Sequence, residues 1–173
     1  MSTLELGDLI RNIPDFPEPG IQFKDITTLL KNGPAFKQTI DLLVTRYAER
    51  KLDAIVGVES RGFIFSAPLA YALGVGLVPV RKAGKLPATT YQVEYELEYG
   101  SNKLEIHRDA LQPGARVLLV DDLLATGGTI GAACKLVEQV GGVVEELAFV
   151  IELTFLKGRD HLSRYPIYTI VQY

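Results

Sequence analysis

Val117-Leu118-Leu119-Val120-Asp121-Asp122-Leu123-Leu124-Ala125-Thr126-Gly127-Gly128-Thr129 is the stretch on which the reading of this chain turns. Residues 117–120 form a short, continuous apolar run, the pattern of a parallel strand covered on both faces. Residues 130–140 carry apolar side chains at Ile130, Ala133, Leu136, Val137 and Val140, which is helical spacing. The segment from Ala125 to Thr129 is then the turn that opens a helix. Helix starts present unpaired N–H groups and a partial positive charge, both suited to phosphate. Gly127 and Gly128 permit close backbone approach, and Thr126 and Thr129 add hydroxyl donors. Asp121 and Asp122 would repel a phosphate. Ionised carboxylates only accept hydrogen bonds, so vicinal sugar hydroxyls are their natural partners. Either glycine alone would suggest no more than a turn. Strand, acids, loop and helix start together follow the order in which open α/β sheets hold ligands. No Lys follows the glycines, so this is not a P-loop, and no G-x-G-x-x-G occurs here.

Outward from this stretch, strands and helices alternate. Residues 4–13 are expected to form a short helix, and Pro14, Pro17 and Pro19 an extended segment. Residues 34–47 have the pattern of an amphipathic helix with Phe36, Ile40, Leu43, Val44 and Tyr47 inward. Strands are expected at 54–58, 77–80, 117–120, 144–152 and 167–171, with a helix at 62–73. Residues 91–97 and 103–107 alternate apolar and polar around a turn at 100–102, the signature of a hairpin. The implied fold is α/β: a mainly parallel sheet with helices on both faces. At 173 residues a single domain is expected.

Composition narrows the classes. Apolar residues make up 47% of the chain and charged residues 23%, enough for a sizeable core in a soluble protein. The single cysteine, Cys134, excludes an internal disulfide or a cysteine metal cluster, and only His107 and His161 could serve a histidine site. A net charge of −3 argues against general nucleic-acid binding. The N-terminus has early acids and no long apolar run, so a signal peptide is not expected and a cytoplasmic location is. Residues 63–80 are free of charge, but Pro68, Gly74, Gly76 and Pro79 break the run, which disfavours a membrane span.

Three further segments carry chemistry. Glu59-Ser60-Arg61-Gly62 follows a strand and opens a helix, again an anion site, although a salt-bridged Arg would look the same. Arg81, Lys82 and Lys85 place three cations within five residues after another strand, either a solvated basic turn or a phosphate patch. Residues 86–91, with Pro and two Thr, have the composition of a mobile flap leading to Glu98 and Tyr99 near the hairpin tip.

The opening stretch closely resembles the phosphoribosyl-pyrophosphate (PRPP) motif of the type I phosphoribosyltransferases. The resemblance runs from about Asp15 to the C-terminus. It includes E-S-R-G-F at 59–63, G-K-L-P-x-x-T at 84–90, Y-x-L-E-Y-G at 95–100 and L-T-F-L-K-G-R at 153–159, and in these segments the chain is similar to the adenine-specific branch. The resemblance implies a single domain with an N-terminal hood over about residues 1–30 and a flexible catalytic loop over about 82–107. It implies that Asp121 and Asp122 hold the ribose hydroxyls and that Ala125, Thr126, Gly127, Gly128 and Thr129 hold the 5′-phosphate. Ser60, Arg61, Arg81, Lys82 and Lys85 would contact pyrophosphate. Ile21, Gln22, Phe23, Glu98 and Tyr99 would contact adenine. Arg61 and Glu98 would be the catalytic residues, with Glu98 near N7 as proton acceptor or orienting contact. It further implies unusual backbone geometry at residues 59–61, Mg²⁺ carried mainly by PRPP, pyrophosphate and water rather than by a protein metal site, and a homodimer in which Arg81 acts across the interface.

The expected activity is purine salvage, with adenine and PRPP converted to AMP and pyrophosphate. The alternatives are another purine phosphoribosyltransferase, xanthine above all, or a PRPP-sensing regulatory domain. The regulator would need a DNA-binding module or a strongly basic face, and a kinase would need the P-loop lysine; neither is visible.

Overall fold

A computed structural model describes residues 5–96 and 101–173. The chain divides into two compact units, Met1–Arg46 and Tyr47–Tyr173. In the first, strands β1 (Arg11–Pro14) and β2 (Gln22–Asp25) pair antiparallel. The turn between them contains a cis Phe16–Pro17 peptide and Asp15 in the left-handed region at φ 55°. Phe16 meets Phe23 edge to face, with ring centroids 5.2 Å apart. The helix expected at 4–13 is only a 3-10 turn at Leu6–Leu9, because the following residues are drawn into β1. Short helix α1 (Thr27–Leu30) and longer helix α2 (Gly33–Tyr47) follow. Along α2 the buried stripe is Ala35, Thr39, Leu43 and Tyr47. Phe36, Ile40 and Val44, expected inward, lie half-buried beside it.

The second unit is built on a seven-stranded sheet. Its strands are β3 (Ala54–Val58), β4 (Gly76–Lys82), β5 (Thr90–Glu96), β6 (Ser101–His107), β7 (Arg116–Leu124), β8 (Val143–Glu152) and β9 (Ile167–Gln172), in the order β5-β6-β4-β3-β7-β8-β9. β4, β3, β7, β8 and β9 run parallel, and the β5–β6 hairpin joins the β4 edge antiparallel. Helix α3 (Gly62–Leu73) packs on β3, β7 and β4, and α4 (Gly128–Val140) on β5 to β8. They cover opposite faces. Ala54, Val56, Val58, Val117 and Leu119 share one core with Ile130, Ala133, Leu136 and Val137 of α4. A side chain at Gly57, pointing the other way, would instead strike Ser66 and Phe63 of α3. Strand alternation accounts for this division.

Two expectations about the sheet need correction. β7 does not stop before the acids: its pairing with β8 continues through Asp121↔Phe149 and Leu123↔Ile151 to Leu124↔Glu152. Ser101 and Asn102 are not a turn but the start of β6, opposite Glu96 and Tyr95. From β3 the chain moves to β4 on one side, and from β7 to β8 on the other. The point where the winding reverses thus lies between β3 and β7, where open α/β sheets bind ligands beyond the carboxyl ends of their strands.

Candidate active site

A cavity of about 460 Å³ opens at that reversal. From the end of β3 it is lined by Glu59, Ser60 and Arg61, from β4 by Lys82, and from the hairpin by Tyr95 and Asn102. From β7 and the start of α4 come Asp121 to Ile130 without a break. All seven residues expected to hold the sugar phosphate therefore meet in one place, with Ser60, Arg61 and Lys82 beside them.

The acids are not equivalent. Asp122 is only 5% exposed, and its Oδ2 lies 2.6 Å from Arg61 Nε. Asp121 accepts the Asp122 backbone N–H at 2.8 Å. Burial pushes the Asp121 carboxyl well above its ordinary range, and the adjacent Asp122 charge pushes it further. Two carboxylates this close do not ionise independently. Asp122 is the member paired with Arg61, and Asp121 the member whose carboxyl burial raises. Helix α3 starts directly against this strand: a Cβ at Gly62 would come 2.9 Å from both Asp121 Oδ1 and the Val120 carbonyl oxygen. Only glycine lets the Arg61 turn approach the acids so closely.

The loop at residues 125–129 leads into a helix, as the sequence implied. Gly127, at φ 89°, precedes α4 and accepts the Gly131 N–H at 2.9 Å. The first amides of α4 are thus left facing the cavity as a ready anion cradle. A Cβ at Gly128 would meet Glu96 O and Tyr95 Cδ2 at 3.7 Å, and the Tyr95 hydroxyl lies 3.4 Å from Thr129 Oγ1. The hairpin therefore stands next to the cradle. Tyr95 and Asn102 were missed by sequence reasoning, although Tyr91, Val93 and Tyr95 announce a shared face by their spacing, and all three pack against the α4 core.

The basic segment divides. Lys82 lines the cavity. Arg81 instead grips Glu59 through Nε and Nη2, both at 3.1 Å, and the Lys82 N–H reaches the same carboxylate at 3.0 Å. The Arg81 hydrogen bonds hold the Glu59 carboxyl below its usual range against the opposing effect of burial. Lys85 is fixed through its backbone: its N–H and that of Leu86 donate to buried Glu105 at 2.9 and 2.8 Å. Burial raises the Glu105 carboxyl, but donors from Leu86, Gly84, Gln92 and Lys85 outweigh it, and the net shift is downward. Within this chain, then, Arg81 and Lys85 brace the Glu59 and Glu105 turns and do not line the cavity. The Glu59–Ser60 peptide is cis, the unusual geometry expected at 59–61. Ile21, Gln22 and Phe23 belong to the first unit, where Gln22 accepts from Asn12 Nδ2 at 2.6 Å. Glu98 and Tyr99 lie outside the described residues. No group of three or more His, Cys, Asp or Glu able to hold a metal occurs among the described residues.

A carboxylate pair and an amide cradle thus meet at the winding reversal of a parallel sheet. The family model described as "Phosphoribosyl transferase domain" matches residues 25–164. An adenine phosphoribosyltransferase of Roseiflexus sp. (strain RS-1) is 70% identical over 171 residues, covering 99% of each chain, and one of Clostridium perfringens is 58% identical over 170. The crystal structure of adenine phosphoribosyltransferase from Thermoanaerobacter pseudethanolicus superposes with a TM-score of 0.94 at 57% identity, over 98% of both chains. That of the Saccharomyces cerevisiae enzyme, complexed with an imino-altritol bisphosphate and adenine, gives 0.90 at 47% identity over 96% of both. The chain belongs to the adenine phosphoribosyltransferase family.

Proposed function

We propose that this chain transfers the 5-phosphoribosyl group of PRPP to N9 of adenine, giving AMP and pyrophosphate in purine salvage. The observation that carries this reading is the convergence of Asp121, Asp122, the α4 amide cradle, Arg61 and Lys82 on one cavity.

In this reading residues 125–129 take the 5′-phosphate and the acid pair takes the ribose hydroxyls. Asp122, held in place by Arg61 at 2.6 Å, and Asp121 beside it accept from the hydroxyls. The C1′–O bond breaks with its electron pair leaving on pyrophosphate, and the N9–C1′ bond forms. Arg61, Ser60 and Lys82 meet the growing negative charge of the leaving group, the place where fixed cations lower a barrier most. The resemblance gives the adenine edge to Ile21, Gln22 and Phe23, and N7 to Glu98, which takes the departing proton or orients the ring, with Tyr99 over it. General-base assistance of this kind is typically worth about 10²–10⁴-fold. Glu59, Asp121 and Asp122 bring carboxylate oxygens to the cavity, and Mg²⁺, a hard ion that keeps water and phosphate ligands, suits such a site. It neutralises charge on the pyrophosphate when bound.

The same proposal includes a cytoplasmic homodimer. Support for the dimer comes from the outer face of α3, where Tyr71 is 90% exposed and Ile64, seven residues before it on the same helix, is also exposed. Exposed apolar patches of this kind favour a partner surface. In the dimer Arg81 would leave Glu59 for the pyrophosphate of the neighbouring site. The activity is tested by supplying adenine, PRPP and Mg²⁺ and measuring AMP and pyrophosphate. Equal amounts of both, and none without PRPP, are expected; adenine left unconsumed would overturn the reading.

A further inference from the structure

We propose that residues 153–162, which link β8 to β9, form a buttress that fixes the position of the phosphate loop, with Gly158 and Arg159 as positioning residues for PRPP. The proposal rests on residues 125–129 being the phosphate loop.

Two glycines make the contact. A Cβ at Gly158 would overlap the Ala125 carbonyl oxygen and come 2.9 Å from Leu124 Cδ1. A Cβ at Gly127 would come 2.9 Å from the Gly158 carbonyl oxygen and 3.2 Å from Leu162 Cδ1. Loop and buttress thus touch backbone to backbone, with no side chain between them to absorb a displacement. Gly158 is not among the positive-φ glycines, so bulk rather than backbone conformation requires glycine there.

The buttress is itself locked to the sheet. Leu153 N–H donates to the Leu124 carbonyl at 3.0 Å, tying its first residue to the end of the acid strand. Arg159, immediately after Gly158, binds Glu152 through Nε at 2.6 Å and Nη2 at 2.7 Å. Glu152 is 3% exposed and also accepts from Thr169 and Gln172 of β9. The Arg159 hydrogen bonds lead in holding its carboxyl below the usual range. The third Arg159 nitrogen, Nη1, donates to the Ile167 carbonyl at 3.3 Å. A planar, two-pronged pair fixes direction as well as distance, which a lysine cannot do. Gly158 is therefore held at one place relative to β7, and the phosphate loop resting on it is held too. Arg159 does not line the cavity, so its influence on PRPP passes through Gly158.

The test compares Gly158→Ala, Arg159→Lys and wild type by thermal melting, by AMP formation, and by calorimetric binding of PRPP with Mg²⁺. Both variants are expected to raise the KM and Kd for PRPP, by about tenfold or more for Gly158→Ala, because a displacement well under 1 Å at a phosphate cradle is costly. The KM for adenine should stay within about twofold. Arg159→Lys retains the charge and covers the case in which Gly158→Ala does not fold. A lowered melting temperature with unchanged PRPP binding in the folded variant would mean a merely structural role and would overturn the inference. Wild-type protein that forms no AMP would instead overturn the proposed function, so the two failures are distinct.

Discussion

Gly127→Ala offers the sharpest check on the phosphate cradle. Gly127 sits at φ 89°, in the left-handed region where a side chain costs roughly 1–2 kcal/mol. The new methyl would also stand 2.9 Å from the Gly158 carbonyl oxygen, a backbone atom that cannot swing away. Overpacking of this sort typically costs about 1–3 kcal/mol. The sum is roughly 2–5 kcal/mol, which at this chain length lowers the melting temperature by about 4–20 °C. Relief of the clash must move the loop away from Gly158, so the KM for PRPP should rise. Gly131→Ala, one turn into the same helix, is the control. Its methyl would meet only Leu162 Cδ2, at 3.7 Å, and alanine in a helix interior is favoured by roughly 0.5–1 kcal/mol. Differential scanning calorimetry and initial rates of AMP formation at varied PRPP read both effects. A Gly127→Ala protein with wild-type melting temperature and PRPP KM would refute the reasoning, as would a control that is equally impaired.

Other expectations follow from individual contacts. Asp122→Asn removes the anion that holds Arg61 at 2.6 Å, so it should raise PRPP KM more than adenine KM in steady-state assays. Asp25 is held at about 2 by the Thr27 hydroxyl, by Arg11 and by the Thr27 N–H. A depressed carboxyl stabilises the fold above its unfolded value and loses that contribution as pH falls toward the folded one. The melting-temperature gap between wild type and Asp25→Asn should therefore be full at about pH 5 and close toward about pH 2. Burial, helped by the Glu138 charge, pushes the Cys134 thiol up to about 12. Iodoacetamide should leave it unmodified in the native protein and alkylate it only after unfolding, as mass spectrometry would show. Glu98→Gln should slow turnover clearly while sparing PRPP affinity, a split that kcat and KM measurements resolve.

Some elements of the structure were legible because local signals coincide with their ends. Strand β3 and helix α3 have the expected limits because an unbroken apolar run meets Glu59, and because Gly74 ends the helix at φ 68°. The limits of β7 were not legible, since its last residues are strand only through pairing with β8, a partner that local sequence does not name. The 3-10 turn at Leu6–Leu9 has the same cause: residues that look helical in isolation are claimed by β2. In the site, the acids and glycines could be found because their chemistry is contiguous. Lys82 could not be separated from Arg81 and Lys85 until Glu59 and Glu105 were seen to bind the turns carrying them. Tyr95 and Asn102 reach the cavity through hairpin register, and Gly158 reaches the loop through a contact 33 residues away in the chain, as the distance from Ala125 to Gly158 gives.

Purified protein given PRPP and Mg²⁺, with adenine, hypoxanthine, guanine and xanthine supplied separately, tests the central claim most directly when nucleotide formation is followed for each base. Efficient AMP formation from adenine, with little or no product from the other three, is the predicted result. No AMP from adenine, with product from xanthine or another base, would contradict it.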